Sequence, residues 1–296
     1  MRLQAFGITD RGIVRAENQD SISVRVLPGE GEGNSLFAAV ADGVGGGKAG
    51  HTASSTAVET ILEKYLAAQE NGRACIKAAF EAANDRIMGM SAENPAYEGM
   101  ATTCTGIVIE KDEAAVCHVG DSRLYRIRNG EICQITEDHT VARRLYREGT
   151  IGSGDIENHP YNHVLTDALG VRRKPRIDLV QCTVKEKDIY LICSDGLTKY
   201  LTAEELRDSV VSQSAEEGAE SLVALAKERG GDDNISVVIV RVESEPVGGA
   251  TAKITTGSIP APPAAKNGRF PVTAGIAALV ALVALGLVVI YTYFPR

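Results

Sequence analysis

Positive charge is in deficit in this chain. Its 296 residues carry 31 Lys and Arg against 39 Asp and Glu, a formal net charge of −8. A surface of that sign repels a phosphate backbone, which excludes nucleic acid as a partner and suits metal cations instead. No C-x-x-C pair occurs among the six cysteines, Cys75, Cys104, Cys117, Cys133, Cys182 and Cys193. That absence excludes a zinc-ribbon or disulfide framework, and because most of the six lie in apolar runs they read as small reduced core side chains of a cytosolic domain. The first residues, MRLQAFGITDRG, hold no apolar h-region, so no secretory signal is expected there. What remains, 44% hydrophobic and 24% charged, is ordinary globular composition with room for one large core or two small ones.

A nucleotide-binding P-loop is missing too, although one stretch imitates it. Residues 39–50 read AVADGVGGGKAG. With Gly47 and Lys48 as the GK pair, the first glycine of G-x-x-x-x-G-K-[ST] belongs at 42 and a hydroxyl at 49, where Asp42 and Ala49 stand. A carboxylate repels an approaching phosphate, and without the hydroxyl a magnesium ion loses a ligand. The alternative is that Asp42 itself holds a metal.

Long apolar runs are rare except at the far end. From Phe270 to Pro295 no residue is charged, and residues 272–291 (VTAGIAALVALVALGLVVIY) match the roughly 20 residues that cross a bilayer. Residues 270–292 are therefore expected to form a transmembrane helix, with 293–296 a short tail. Lys266 and Arg269 precede it and only Arg296 follows, so the positive-inside bias puts the N-terminal part in the cytoplasm of a single-pass cell-membrane protein. Residues 246–269, rich in Pro, Gly, Ala and Thr without periodicity, read as a disordered linker, which bounds a folded domain at 1–245.

Within that domain Val58, Ile61, Leu62, Tyr65 and Leu66 fall on one helical face, as do Ile76, Ala79, Phe80, Ala83 and Ile87. Residues 102–135 carry β-rich runs (TTCTGIVIE, AAVCHVG, SRLYRIR, EICQI) joined by short turns, an expected antiparallel meander. Two helical stretches, 202–213 and 215–229, precede a last strand, NISVVIVRV. Strands grouped with strands and helices with helices point to an α+β layered domain rather than a doubly wound sheet.

The chemistry lies at the strand ends. SLFAAVADG ends in Asp42-Gly43, DIYLICSDG in Asp195-Gly196, and AAVCHVGDS carries Asp121; Asp20 precedes SISVRV, and Asp232-Asp233-Asn234 precedes ISVVIV. One such aspartate would read as a turn cap. Five of them at the tips of buried strands would repel one another strongly unless cations neutralised them. Hard oxygen ligands of this kind suit Mg²⁺ or Mn²⁺.

Residues 5 to 242 resemble the PPM (PP2C-type) metal-dependent serine/threonine protein phosphatases in their bacterial form. The matching segments, in order, are DRGIVRAENQDS (10–21), VADGVGGG (40–47), MATTCTGIVI (100–109), HVGDSRLYRIRNGEICQITEDHT (118–140), HPYNHVLTDALG (159–170), LICSDGLTK (191–199) and DDNISVVIV (232–240). The resemblance implies a four-layer α-β-β-α sandwich of two antiparallel sheets flanked by helices, with metals at one edge between the sheets. It implies that Asp42, Asp195 and Asp233 ligate a first ion, that Asp42 and the Gly43 carbonyl hold a second supported by Asp20 through water, and that Asp121 with Asp195 serves a third, weaker site. Mn²⁺ or Mg²⁺ would be the cofactor, and the two ions would share a water whose pKa falls toward neutrality. Arg15 stands where the family keeps the guanidinium that grips the phosphate. The substrates implied are phosphorylated proteins, including a Ser/Thr kinase that the enzyme would oppose.

The chain also departs from the family pattern. Gln19 stands where many relatives carry glutamate, which removes a negative charge beside the metals and predicts weaker metal binding. Gly47 and His51 replace a His and a Glu, Ala101 replaces a glycine, and Val44 stands where animal relatives place a proposed general acid. The acid is therefore unassigned, with His139, His159 and His163 as loop candidates and His118, inside a strand, as a core residue. A binding module that had lost catalysis should lack at least one aspartate, and none is lost; a metal-dependent nuclease conflicts with the acidic charge.

Overall fold

The computed structural model describes residues 1–28, 34–45, 48–68, 72–243 and 251–256. Strands β1 (Arg2–Asp10), β2 (Asp20–Pro28) and β3 (Asn34–Val44) lead into helices α1 (Lys48–Ala67) and α2 (Gly72–Glu93). The short β4 (Ala101–Thr102) precedes β5 (Cys104–Glu110), β6 (Glu113–Val119), β7 (Arg123–Arg128) and β8 (Glu131–Gln134). After an excursion carrying α3 (Val141–Arg147) come β9 (Asp178–Thr183), β10 (Ile189–Cys193) and a four-residue helical turn, α4 (Asp195–Thr198). Helices α5 (Ala203–Val211) and α6 (Ala215–Glu228) are followed by β11 (Ile235–Glu243) and β12 (Thr251–Thr256).

One sheet has the order β12-β1-β11-β10-β7-β8 and the other β2-β3-β5-β6-β9, with β4 paired to β3. Side-chain alternation along each strand feeds opposite layers. On β3, Leu36, Ala38 and Val40 meet Tyr190, Ile192, Val238 and Val240 between the sheets, while Phe37, Ala39 and Ala41 face α1 and α2. On β11, Val237 and Ile239 turn outward to Leu206, Val210, Leu222 and Val223 of α5 and α6. The strands buried on both faces therefore read as continuous apolar runs, and the product is the α-β-β-α sandwich expected. Helices α5 and α6 begin where Thr202 and Ser214 close capping boxes with Glu205 and Glu217.

Four expectations are corrected. The runs over 102–135 are not one meander: β5 and β6 pair in one sheet, β7 and β8 in the other, and the chain crosses between sheets at Gly120-Asp121-Ser122. The folded domain does not stop at 245. Residues 251–256, inside the stretch read as a disordered linker, pair with Gln4–Thr9 of β1, and they run parallel to it in sheets that are otherwise antiparallel. TAKITT is rich in β-branched residues that suit an edge strand, a signal masked by the Gly and Pro on either side. Leu66 is 47% exposed because the buried stripe of α1 runs through Ala53, Ala57, Val58, Ile61 and Tyr65. Of the cysteines, Cys104, Cys117 and Cys193 are buried as free thiols, but Cys133 is exposed on the edge strand β8.

Among the described residues no helix is long and apolar enough to cross a membrane. Residues 270–292, assigned to a membrane span by their sequence, lie outside the described residues. Loss of β12 would uncover the backbone edge of β1 along a six-residue ladder. A chain ending at Thr256 is therefore expected to melt about 2–4 °C above one ending at Glu243. Coincident calorimetric melts of the two would show that β12 adds nothing to the sheet.

Candidate active site

Antiparallel pairing of β2 with β3 sets Asp20 directly opposite Asp42. Like charges so placed are destabilising, and the surrounding chain holds the arrangement. The Asp42 carbonyl accepts from Thr103 N (2.9 Å) and from the Thr102 hydroxyl (2.8 Å), and its N–H donates to Thr103 Oγ1 at 3.1 Å. Asp20 Oδ2 accepts from Ser194 Oγ (2.8 Å) and Ser236 Oγ (2.6 Å). Gly43 has no alternative: a Cβ there would lie 2.2 Å from the Gly50 carbonyl oxygen and 2.6 Å from that of Gln19. This close approach lets the chain turn at Asp42 so that its carboxylate and the Gly43 backbone open on one side.

That side is a cleft of about 350 Å³ lined by Asp42, Gly43, Asp121, Asp195 and Asp233, with Arg15 and His163 at its walls. Four expected metal-binding carboxylates and the Gly43 backbone therefore converge. Asp20 lies behind them, buried, in contact with the opposite sheet through its two serines. Arg15 reaches the cleft from the loop after β1 and donates from Nη2 to Asp233 Oδ2 at 2.7 Å, with half of its side chain exposed.

The crowding shows in the acidities. Burial, and then Asp20, Asp195, Asp121 and Asp233 in turn, push the Asp42 carboxyl well above the usual carboxylate range. Burial followed by Asp195 does the same to Asp121, and burial followed by Asp233 raises Asp195. Burial pushes Asp20 up to about 7 against the pull of its two serine hydroxyls. Oδ1 of Asp20 and Oδ1 of Asp195 are buried and meet no hydrogen-bond donor among the described residues. Unpartnered carboxylate oxygens in an all-oxygen donor set fit hard divalent cations. No three His, Cys, Asp or Glu side chains among the described residues close on one point at bonding distance, so the donors form an open set around a shared cleft.

Several supporting residues lie in segments that the sequence singled out, but without a role for them. Asn234 accepts the Gln19 N–H through Oδ1 (2.8 Å) and donates from Nδ2 to the carbonyls of Arg11 and Glu17, each at 3.0 Å. Thr102 and Thr103 were legible only as strand residues, yet they clamp Asp42. The histidines sort clearly. His118 is buried on Thr105 as expected, His139 is buried between Gly120 N–H and Asp178, and the half-buried His159 accepts from the N–H of Tyr161. His163 is the one imidazole lining the cleft among the described residues.

Comparison with known proteins agrees with this geometry. The family model described as Protein phosphatase 2C matches residues 13–229. The chain belongs to the protein phosphatase 2C family. It is 34% identical over 238 residues to the serine/threonine phosphatase stp of Listeria welshimeri, covering 78% of this chain and 93% of that protein. The crystal structure of the Mycobacterium tuberculosis serine/threonine phosphatase PstP/Ppp superposes with a TM-score of 0.74 at 33% identity, covering 82% of this chain and 100% of that one. A further structure, the catalytic domain of PstP in complex with two manganese ions, gives a TM-score of 0.70 at 33% identity over 82% of this chain and 99% of that one.

A pH dependence follows from the weakened acidity of these carboxyls. Carboxyls whose folded pKa exceeds the unfolded value contribute stability that is full below about pH 4 and is lost as pH rises, for Asp20 through about 7. With chelator present, melting temperature should fall between pH 5 and 8. Because Mn²⁺ competes with the same protons, its stabilising effect should grow over that interval. An Mn²⁺-induced shift in melting that is the same at pH 5.5 and 8 would contradict the clustered, protonatable site.

Proposed function

We propose that this chain hydrolyses phosphoserine and phosphothreonine in proteins with the aid of two Mn²⁺ or Mg²⁺ ions. The observation that carries the reading is the union, in one cleft, of four aspartates, one of which (Asp195) keeps a buried oxygen that meets no donor among the described residues, with an arginine half open to solvent. Asp42, Asp195 and Asp233 would hold one ion, Asp42 and the Gly43 carbonyl the other with Asp20 behind it, and Asp121 with Asp195 a third, weaker one. The ions would supply a water of lowered pKa and positive charge facing the phosphoryl oxygens.

The chain's own groups do the rest. Arg15 grips a phosphate dianion through its planar fork of N–H groups while Asp233 fixes one corner of that fork. Family membership and the named activities of its relatives support a protein substrate, and a Ser/Thr kinase with its targets is the partner this implies. The uncharged stretch 270–292 supports a second part of the reading, a single-pass anchor that keeps the phosphatase domain on the cytoplasmic face of the cell membrane. A domain confined there meets membrane-bound phosphoproteins at raised effective concentration.

Residues 1–256 should hydrolyse p-nitrophenyl phosphate and phospho-Ser/Thr peptides with Mn²⁺ or Mg²⁺ and stop in excess EDTA; full turnover in EDTA would refute the reading. Asp42→Ala or Asp195→Ala should remove turnover almost wholly. Arg15→Ala should raise KM about tenfold with little change in kcat, because it holds ground state and transition state alike. For the anchor, the full chain should pellet with membranes and resist a carbonate wash while residues 1–256 stay soluble. A full chain found wholly in the soluble fraction would exclude the anchor.

A further inference from the structure

Outside the lining of the cleft lies an ion pair that the chemistry described above does not use. Lys227, in the last turn of α6, donates from Nζ to Asp10 Oδ2 at 3.0 Å, and the two side chains are 4% and 0% exposed. A buried pair of this kind contributes little net stability, since desolvating both charges offsets their attraction. On the same helix and on β1 and β11, Val223, Ala226, Ile8 and Ile235 are buried apolar core residues. What the pair does is tie two chain segments in register.

The first segment is the loop that carries Arg15. Asp10 closes β1, and its Oδ1 accepts the Gly12 N–H at 2.8 Å. The second follows α6 and carries Asp233. Ile13 N donates to the Gly231 carbonyl at 2.7 Å, and Asn234 holds the carbonyls of Arg11 and Glu17. Gly12 has φ +76°, and a Cβ there would sit 2.0 Å from the Asp233 carbonyl oxygen, so the two backbones touch. Arg15 leaves this paired unit to meet Asp233. Lys227 stands four residues before Gly231, and Asp10 two before Gly12, so their ion pair joins the unit at its root.

We propose that Lys227 and Asp10 are positioning residues: their buried ion pair sets the loop from which Arg15 reaches the phosphate. The proposal rests on the phosphate-gripping role of Arg15 given above. Lys227 itself does not line the cleft, so its effect on substrate must pass through that loop.

A double-mutant cycle tests it, using KM and kcat for p-nitrophenyl phosphate and competitive inhibition by inorganic phosphate in Mn²⁺. Lys227→Met should raise KM and the phosphate Ki together, by up to the roughly tenfold effect of Arg15→Ala, with kcat little changed. In an Arg15→Ala background the same change should alter KM less than about twofold, because the group it positions is gone. Amide exchange at Gly12 and Ile13 should quicken in Lys227→Met while β5 and β10 keep their protection. Equal effects of Lys227→Met in both backgrounds, a fall in kcat alone, or uniform loss of protection would each overturn the proposal. If Lys227→Met fails to fold, Asp10→Asn/Lys227→Met removes both charges at smaller cost and keeps an acceptor for the Gly12 N–H. A wild-type KM and Ki in that folded double variant would overturn it equally. If Arg15→Ala leaves KM unchanged, the role of Arg15 fails first and separately.

Discussion

Asp20 and Asp42 face each other across two antiparallel strands, and everything around the cleft serves to hold that repulsive pair in place. The holding is done from both sheets. Asp20 and Asp42 belong to the sheet of β2 and β3, whereas the hydroxyls that bind Asp20 belong to Ser194, just past β10, and Ser236 on β11, in the other sheet. Ser236 N donates in turn to Ser194 Oγ at 3.0 Å, so one carboxylate stitches the two layers beside the cleft. The apolar layer between the sheets, with Leu36, Val40, Tyr190 and Val238 fully buried, fixes their separation. Rigid packing of this kind lets charges stay gathered that would otherwise spread into water.

Much of this was legible in the sequence because it is local. An apolar run that ends in Asp-Gly announces both a buried strand and a turn, and Asp42 and Asp195 were visible on that ground alone. The helical stripes of α1 and α2 were visible for the same reason. What stayed hidden depends on which strand pairs with which. The crossing at Gly120-Asp121-Ser122 looks like any hairpin turn, yet it passes the chain from one sheet to the other and so brings Asp121 to the cleft. The opposition of Asp20 and Asp42 is a matter of register, and the pairing of Lys227 with Asp10 spans 217 residues. No window of sequence contains such facts. β12 was hidden for a different reason: its six residues sit among glycines and prolines that outweigh them in any compositional reading.

Gln19 shows how a departure from the family pattern acquires a physical meaning only in three dimensions. Read as a charge, it removes one anion from a crowded acidic site and so should weaken the hold on metal. Read as a shape, it does more. Its side-chain amide donates to the Gly45 carbonyl at 3.2 Å, a bond an ionised glutamate could not make, and its backbone carbonyl accepts from Gly43 N (3.2 Å) and Ser54 Oγ (2.6 Å). Gln19 therefore braces the Gly43–Gly45 turn from both its side chain and its backbone. The carboxyls it neighbours already resist ionisation through burial and through one another. A neutral residue there lessens that resistance, while its amide keeps the turn aimed at the cleft. The same substitution that reduces attraction for a cation thus reduces the strain of the site without one, and the two effects oppose each other in the measured affinity.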